Sequence, residues 1–355
     1  MPEPPVTLRD VARRAGVHPA TASRALSPET RILVSEETAR RVLAAASALG
    51  YRPNPVARSL RTRRSHSVGV LIPDLNNPLF PPIVRGLEDR LAAAGYVALI
   101  GNTDSDDQRA QMIFEQMRAR HVDGLAVATA HKDDPVLAEA ARADLPVVLM
   151  NRLSEEYSFP SVSVDNERGV RMAVVHLAGL GHRRIAHIAG PQEMSTGLSR
   201  YRGFRSAMEA SGLPVIPELV VFARAFTVEE GVRCCRLLLD RAAGSGRPPG
   251  CTAIAAGNDM LAVGCYTALD EAGLSCPDDI SVVGFNDMPF IDRLRPPLTT
   301  IRFPHYQVGT EAAQLLLDRI GGRGPVKVLY LAPELVVRGS TASPSAARPS
   351  ATASP

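Results

Sequence analysis

Two fold classes stand side by side in this chain of 355 residues: a small all-α block, then a larger α/β body with doubly wound parallel sheets. Three observations predict them. Residues 6–50 carry short amphipathic helix patterns, and from Ser67 onward brief apolar runs alternate with longer helical ones. Between them lies a short capped segment, Asn54-Pro55-Val56-Ala57-Arg58-Ser59-Leu60. A chain of this length buries several cores, so division into domains is expected.

In the first block, Thr7 can cap a helix whose positive end is favoured by Asp10, three residues on. Leu8, Val11, Ala12 and Ala15 give it an apolar stripe, and Gly16-Val17 makes a tight break. A second helix starts at His18-Pro19 and runs to about Leu26. Ser35 caps a third, in which Ala39, Val42, Leu43, Ala46 and Leu49 keep helical spacing until Gly50 stops it. The segment 54–60 also begins like a helix, with Asn54 as cap and Pro55 setting φ at the first helical position. Yet it is far shorter than the roughly 12–15 residues that hold a helix alone in water. It reads as a conditional element, folded only when something binds it.

In the body, Val68–Ile72, Val97–Ile100, Gly124–Val127, Val147–Met150, Val162–Val164, Ile185–Ala189, Leu219–Phe222, Ala253–Ala256 and Ile280–Phe285 read as strands. Helical patterns such as Leu79–Ala94 and Val228–Ala242 separate most of them. That alternation means parallel sheets covered on both faces. There are more strands than one small sheet needs, which points to two of similar size. From about Thr341 the chain is Ala, Ser, Pro and Thr with one Arg, too few apolar groups to order. The expected limits are therefore 1–51 for the helical block, 52–65 for the hinge, 66–340 for the body and 341–355 for a disordered tail.

Charge is unevenly spread. Residues 1–64 hold twelve arginines, no lysine and five acids, a net of +7, so the remainder carries −4 of the overall +3. A basic block beside an acidic body suits a polyanion partner for the first part alone. Cys234, Cys235, Cys251, Cys265 and Cys276 show no Cys-x-x-Cys spacing and mostly sit in apolar runs, which fits a reducing compartment and no zinc site. No signal peptide or membrane-spanning run is legible, so a cytoplasmic, nucleoid-associated protein is expected. The sequence offers no Gly-x-Gly-x-x-Gly after the first strand, no phosphate loop, no metal spacing among its eight histidines and no triad. Neither an enzyme nor a cofactor is expected.

A helix, a Gly-containing turn and a second helix at this spacing form the helix-turn-helix arrangement, whose second helix lies in the DNA major groove. Its exposed face offers His18, Pro19, Ala20, Thr21, Ser23 and Arg24. Arg pairs bidentately with guanine, Thr and Ser bond phosphates, and Ala or Pro touches a thymine methyl. An ordinary helical hairpin has the same outline; the positive charge and the marginal helix that follows favour DNA.

These residues match a family. Thr7-Leu8-Arg9-Asp10-Val11-Ala12, Ala15-Gly16-Val17, Thr21-x-Ser23-Arg24-x-Leu26, Gly50-Tyr51-x-Pro53-Asn54 and Val56-Ala57-Arg58-Ser59-Leu60 follow one another at its spacing. So do Ile72-Pro73-Asp74, Asn77-Pro78-Leu79-Phe80, Val122-Asp123-Gly124-Leu125, Leu180-Gly181-His182-Arg183, Gly257-Asn258-Asp259, Ile280 to Phe285 and Pro297 to Ile301. From about residue 6 to 340 the chain resembles the lactose-repressor (LacI/GalR) family of bacterial transcription regulators. The resemblance implies a homodimer, or a higher oligomer, on a near-palindromic operator. Two recognition helices would sit in successive major grooves and paired hinge helices in the minor groove between them. Thr7, the face of the second helix, and Asn54, Val56, Ala57, Arg58 and Leu60 are the DNA-contacting positions it implies, with Leu60 as the wedge that kinks the duplex. His18 stands where family members usually have a small hydroxyl residue. Pro19 and Ala20 hold the two usual base-reading positions, and neither side chain can donate a hydrogen bond. Reading there must rest on apolar contact or DNA shape, with Arg24 and His18 supplying polar contacts.

The body resembles the family's effector domain, built like periplasmic sugar-binding proteins: two doubly wound subdomains with a ligand cleft outside the carboxyl ends of their strands. The matched positions that would line it are Asn77, Phe80, Arg152, Asp165, Thr196, Arg200, Phe226, Asn258, Asp259, Asn286 and Asp287. Aromatic faces with Arg, Asp and Asn suit a polyol. Each has a plainer alternative: Phe80 and Phe226 as core, Asp287 as a turn cap, Arg152 as half of a surface pair. Asn286 replaces the family's usual aspartate, and Met194 offers no charge beside Thr196, which opens the ligand class to a less common sugar, a sugar acid or a nucleoside-like compound. The expectation is a ligand-responsive regulator, a repressor of carbohydrate uptake or catabolism genes. The alternatives are a cytosolic sugar-binding module without a DNA role, a regulator answering to a nucleobase or nucleoside, and a sugar enzyme with a fused DNA-binding domain.

Overall fold

The computed structural model describes residues 6–27, 30–52, 64–243, 250–324 and 326–344 and divides into two compact units, residues 1–65 and 66–355. The first unit packs α1 (Leu8–Ala15), α2 (Pro19–Leu26) and α3 (Glu36–Ala48). Thr7 and Asp10 cap α1 reciprocally: the Asp10 N–H donates to Thr7 Oγ1 at 3.4 Å and the Thr7 N–H to Asp10 Oδ2 at 3.0 Å. Gly16, at φ +64°, ends the helix in the left-handed region that a Cβ disfavours. Seven alanines join Val11 and Val42 in the core, so the three helices meet over small side chains. A 3₁₀ turn that the sequence did not announce, Arg31–Leu33, leads into α3. Arg31 Nε ties it back by donating to the Ala25 carbonyl at 2.9 Å. The hinge segment 54–60 lies outside the described residues.

The strands of the second unit begin with β1 (Ser67–Ile72), β2 (Val97–Asn102), β3 (Gly124–Val127), β4 (Val147–Met150), β5 (Ser161–Val164) and β6 (Ile185–Ala189). They continue with β7 (Val220–Phe222), β8 (Ala253–Ala256), β9 (Ser281–Asn286), β10 (Thr299–Arg302), β11 (Val328–Leu331) and β12 (Glu334–Val336). Two six-stranded sheets result, ordered β11-β5-β4-β3-β1-β2 and β12-β10-β9-β8-β6-β7. Every pairing is parallel except β10 with β12. The helices are α4 (Phe80–Ala93), α5 (Asp107–Ala119), α6 (Pro135–Arg142) and α7 (Asn166–Gly179). After them come α8 (Ser195–Ala210), α9 (Val228–Ala243), α10 (Asp259–Glu271) and α11 (His305–Ile320). Expected strands and helices agree to within a few residues, and β10, β11 and β12 are additions to them.

The chain crosses between the sheets three times, from β5 into α7, from β10 into α11, and from β11 to β12. After the second crossing, α11 returns to the first sheet and packs on α4. Two glycines set that contact: a Cβ on Gly86 would fall 2.1 Å from the Tyr306 carbonyl oxygen, and one on Gly309 1.9 Å from that of Ile83. The start of the expected tail needs correction. Residues 341–344 are described, and the Ala342 N–H donates to Ser281 Oγ at 3.1 Å while the Ala342 carbonyl lies 2.9 Å from His182 Nε2. Composition lacks apolar groups there, but hydrogen bonds to β9 and its surroundings hold the segment.

Candidate functional site

The second helix presents the face that a groove-reading helix needs. Ala22 and Ala25 are buried against the other helices, while His18, Ala20 and Arg24 are exposed and Pro19, Thr21 and Ser23 half-buried. His18 does the work of the hydroxyl it replaces: its Nδ1 accepts from the Ala20 N–H at 3.2 Å and caps α2, with Pro19 at the first helical position. An accepting Nδ1 leaves the ring hydrogen on Nε2, a donor at the helix start. Thr7 is exposed as well, but its hydroxyl is engaged with Asp10 Oδ2 at 2.6 Å. Asn54, Val56, Ala57, Arg58 and Leu60 fall outside the described residues.

In the second unit a cleft of about 590 Å³ opens at the carboxyl ends of the strands. It collects eight expected residues: Asn77, Phe80, Arg152, Thr196, Arg200, Phe226, Asn258 and Asn286. Most sit where a strand gives way to a loop or helix, while Arg200 projects from the second turn of α8. Asn77 Oδ1 accepts from the Leu79 N–H at 3.1 Å, shaping the turn that delivers Phe80 at the start of α4. Asn258 caps α10 by accepting from the Leu261 N–H at 2.9 Å, so its amide NH₂ is what it can offer a ligand.

Arg200 organises the floor. Only 2 % exposed, it donates through Nε to Asn166 Oδ1 (2.8 Å), through Nη1 to the Gly257 carbonyl (2.7 Å) and through Nη2 to Asn286 Oδ1 (3.3 Å). Its guanidinium lies 3.8 Å from the Phe285 ring centre and 5.9 Å from that of Phe226. Burial pulls its pKa down to about 9, opposed by the nearby Asp259 carboxylate. Three of its five N–H groups are used, and two remain for a ligand. Arg152 is buried too, donates through Nη1 to the Thr129 carbonyl at 2.8 Å, and is lowered to about 10 by burial against the pull of Asp134 and Glu193. It is no surface pair.

Three expected residues do not reach the cleft. Asp165 caps α7, accepting from the Arg168 N–H at 3.0 Å, and lines a separate groove on β5 and β11. Asp259 is wholly buried beneath the floor, where it accepts from Thr300 Oγ1 (2.6 Å) and the Met288 N–H (2.9 Å). Asp287 accepts from Arg302 Nε (2.5 Å) and Arg338 Nη2 (2.6 Å), so it ties β9 to β10 and the chain after β12. All three are positions that the family resemblance implies, and consecutive residues at the end of a strand point different ways. One residue missed by the same reasoning is Asn151, directly after β4. It is 5 % exposed at φ +64°, lines the cleft, and its Oδ1 has no hydrogen-bond partner among the described residues. Arg224 and Asp74 also line the cleft, on loops whose length no periodicity could place.

Comparison with known proteins fits both units. Residues 7–54 match the model of bacterial regulatory proteins of the lacI family, and residues 174–341 that of a periplasmic binding protein-like domain. The transcriptional repressor CytR of Escherichia coli (strain K12) is 35% identical over 341 residues, which cover 96% of this chain and 97% of CytR. The chain belongs to the lacI family. Among solved lacI-family structures, the lac repressor dimer bound to operator and the anti-inducer ONPF superposes with a TM-score of 0.82 at 29% identity, covering 96% of this chain and all of that one. The regulator CelR in complex with cellobiose gives 0.72 at 33% identity, covering 94% and 99%. As a lacI-family member, this chain is a DNA-binding transcriptional regulator with a ligand-binding effector domain. Its relatives are regulators rather than enzymes. Among the described residues no helix is long and apolar enough to cross a membrane.

Proposed function

We propose that this chain is a homodimeric repressor of carbohydrate uptake or catabolism genes, released from a near-palindromic operator when a neutral sugar or sugar derivative enters the cleft. The observation that carries the reading is Arg200. A fully buried cation fixed at three points, stacked on Phe285 and flanked by Phe226, Asn258 and Asn286, is a preorganised set of donors beside aromatic faces. Such a set suits a ring with hydroxyls on its edge and C–H groups on its face.

Pairing of two copies has its own support. The corresponding edge strands of the two sheets, β2 and β7, expose Val97 and Ile100 in one and Phe222 in the other. Apolar groups repeated on one side of both subdomains suit a second copy laid along that side. In the DNA-bound dimer, α2 reads the major groove and the segment 54–60 forms the paired hinge helices, with Leu60 as wedge.

The test is fluorescence anisotropy of labelled DNA from the gene's own upstream region, titrated with a panel of sugars and nucleosides. One neutral sugar should release the protein, and Arg200→Lys should abolish the response while DNA binding persists, because an ammonium cannot reproduce the three-way fork. A ligand bound equally well by free and DNA-bound protein would sink the mechanism, since equal affinity shifts no equilibrium. Release by nucleosides alone would replace sugar with nucleoside.

A further inference from the structure

Beside the cleft lies a second cavity of about 200 Å³, at the carboxyl ends of β2 and β3. It is continuous with the cleft, since Pro73, Ser105, Arg152, Glu193 and Met194 line both. Its inner wall carries Thr103, 1 % exposed, and Thr129, 8 % exposed. Among the described residues neither hydroxyl has a hydrogen-bond partner. Neither hydroxyl is sealed off from the cavity, so both are available to bond an occupant.

The charges say what kind of occupant. Asp106, Asp107, Asp134 and Glu193 line this cavity against only His131 and Arg152. His131 has both ring nitrogens engaged, Nδ1 with the Lys132 carbonyl at 2.7 Å and Nε2 with Asp107 Oδ1 at 2.9 Å. It therefore has no free N–H for an anion. Asp134 Oδ1 accepts from the Val136 and Leu137 N–H groups, which leaves Oδ2 as an acceptor for a ligand hydroxyl. A phosphate or carboxylate would meet net negative charge here, whereas hydroxyl groups find both donors and acceptors.

We propose that this cavity is a second ligand subsite and that the effector is a two-unit neutral glycoside, one unit in the cleft on Arg200 and the other against Thr103, Thr129 and Asp134. This rests on the cleft being the effector site of a sugar-responsive regulator. The Lys132 N–H donates to the Glu193 carbonyl at 3.0 Å, joining the two subdomains at the cavity's rim. An occupant of the second subsite would thus touch the contact that closing the subdomains makes.

The test is calorimetric titration of the full chain with glucose, galactose and ribose, with cellobiose, maltose and lactose, and with glucose 6-phosphate. At least one disaccharide should bind at least tenfold more tightly than its monosaccharide units. Thr103→Val and Thr129→Val should each weaken that disaccharide about fivefold, the worth of one net hydrogen bond, and leave monosaccharides within about twofold. Retained binding of operator DNA and an unchanged near-UV spectrum show that the variants are folded. If a monosaccharide or glucose 6-phosphate binds best and neither variant matters, the second subsite is overturned and the sugar cleft stands. If no sugar binds a chain that still binds its operator, the cleft reading itself falls, and this one with it.

Discussion

Asp259 shows how far a residue's chemistry departs from its place in the sequence. Beside Asn258 it reads as a ligand contact, yet it lies buried and burial pushes its carboxyl up to about 6, opposed by the bonds from Thr300 and Met288. The sign follows. A carboxyl raised from 3.8 binds a proton in the native chain that the unfolded chain has already lost, so its contribution is full below about pH 4 and is lost as pH rises through about 6. Two pH units correspond to about 3 kcal/mol. Urea unfolding of wild type and Asp259→Asn, compared at pH 4 and pH 7, should give stability differences that diverge by that amount; parallel profiles would contradict it. Arg200 and Asn258, by contrast, were legible, because the carboxyl ends of parallel strands open onto the cleft. Asn151 was not, because one residue's difference along a turn decides whether a side chain faces the cleft or the core.

At the scale of elements, most of the fold could be read. Helix and strand periods differ, and each sheet strand but the edges is buried on both faces. What escaped were short pieces with no period of their own: β12 has three residues, and β11 is an edge strand with exposed Val328 and Tyr330. The turn at Arg31–Leu33 is fixed to the end of α2 by the Arg31 Nε bond to the Ala25 carbonyl and the Thr30 hydroxyl bond to the Arg24 carbonyl, contacts that no periodicity records. Two elements yield predictions. In α2, where Pro19 and Ala20 cannot donate, we propose that Arg24, with His18, supplies the polar base contacts. Arg24→Ala should cost about 1–3 kcal/mol of operator affinity and relax sequence preference, measured by competition against mismatched DNA; a uniform loss on all sequences would demote it to a phosphate contact. Where α4 meets α11, Gly309→Ala would drive a Cβ into the Ile83 carbonyl. It should lower stability by about 3 kcal/mol, read from the denaturation midpoint, and an unshifted midpoint would mean that the helices part freely.

For the whole molecule, the proposed switch is a population shift between a form with paired hinges and a form with the cleft closed. The two subdomains already touch through the Lys132 N–H on Glu193 and the Leu153 N–H on Ser195 Oγ, so closure has fixed points to turn on. Leu60→Ala should weaken operator binding and reduce DNA bending, seen by gel mobility of permuted fragments, while effector affinity stays within about twofold. Unaltered bending would remove Leu60 from the wedge.

The three crossings between the sheets also order events during synthesis. The helical unit is complete once residue 51 has emerged, whereas the first sheet waits for Val328–Leu331 and the second for Glu334–Val336. For nearly the whole of translation the nascent chain carries finished recognition helices and an unfinished regulator. The edge strands β11 and β12 are the last structure this protein completes, and a chain stopped before residue 328 holds every residue that lines the cleft but neither of the strands that finish the two sheets.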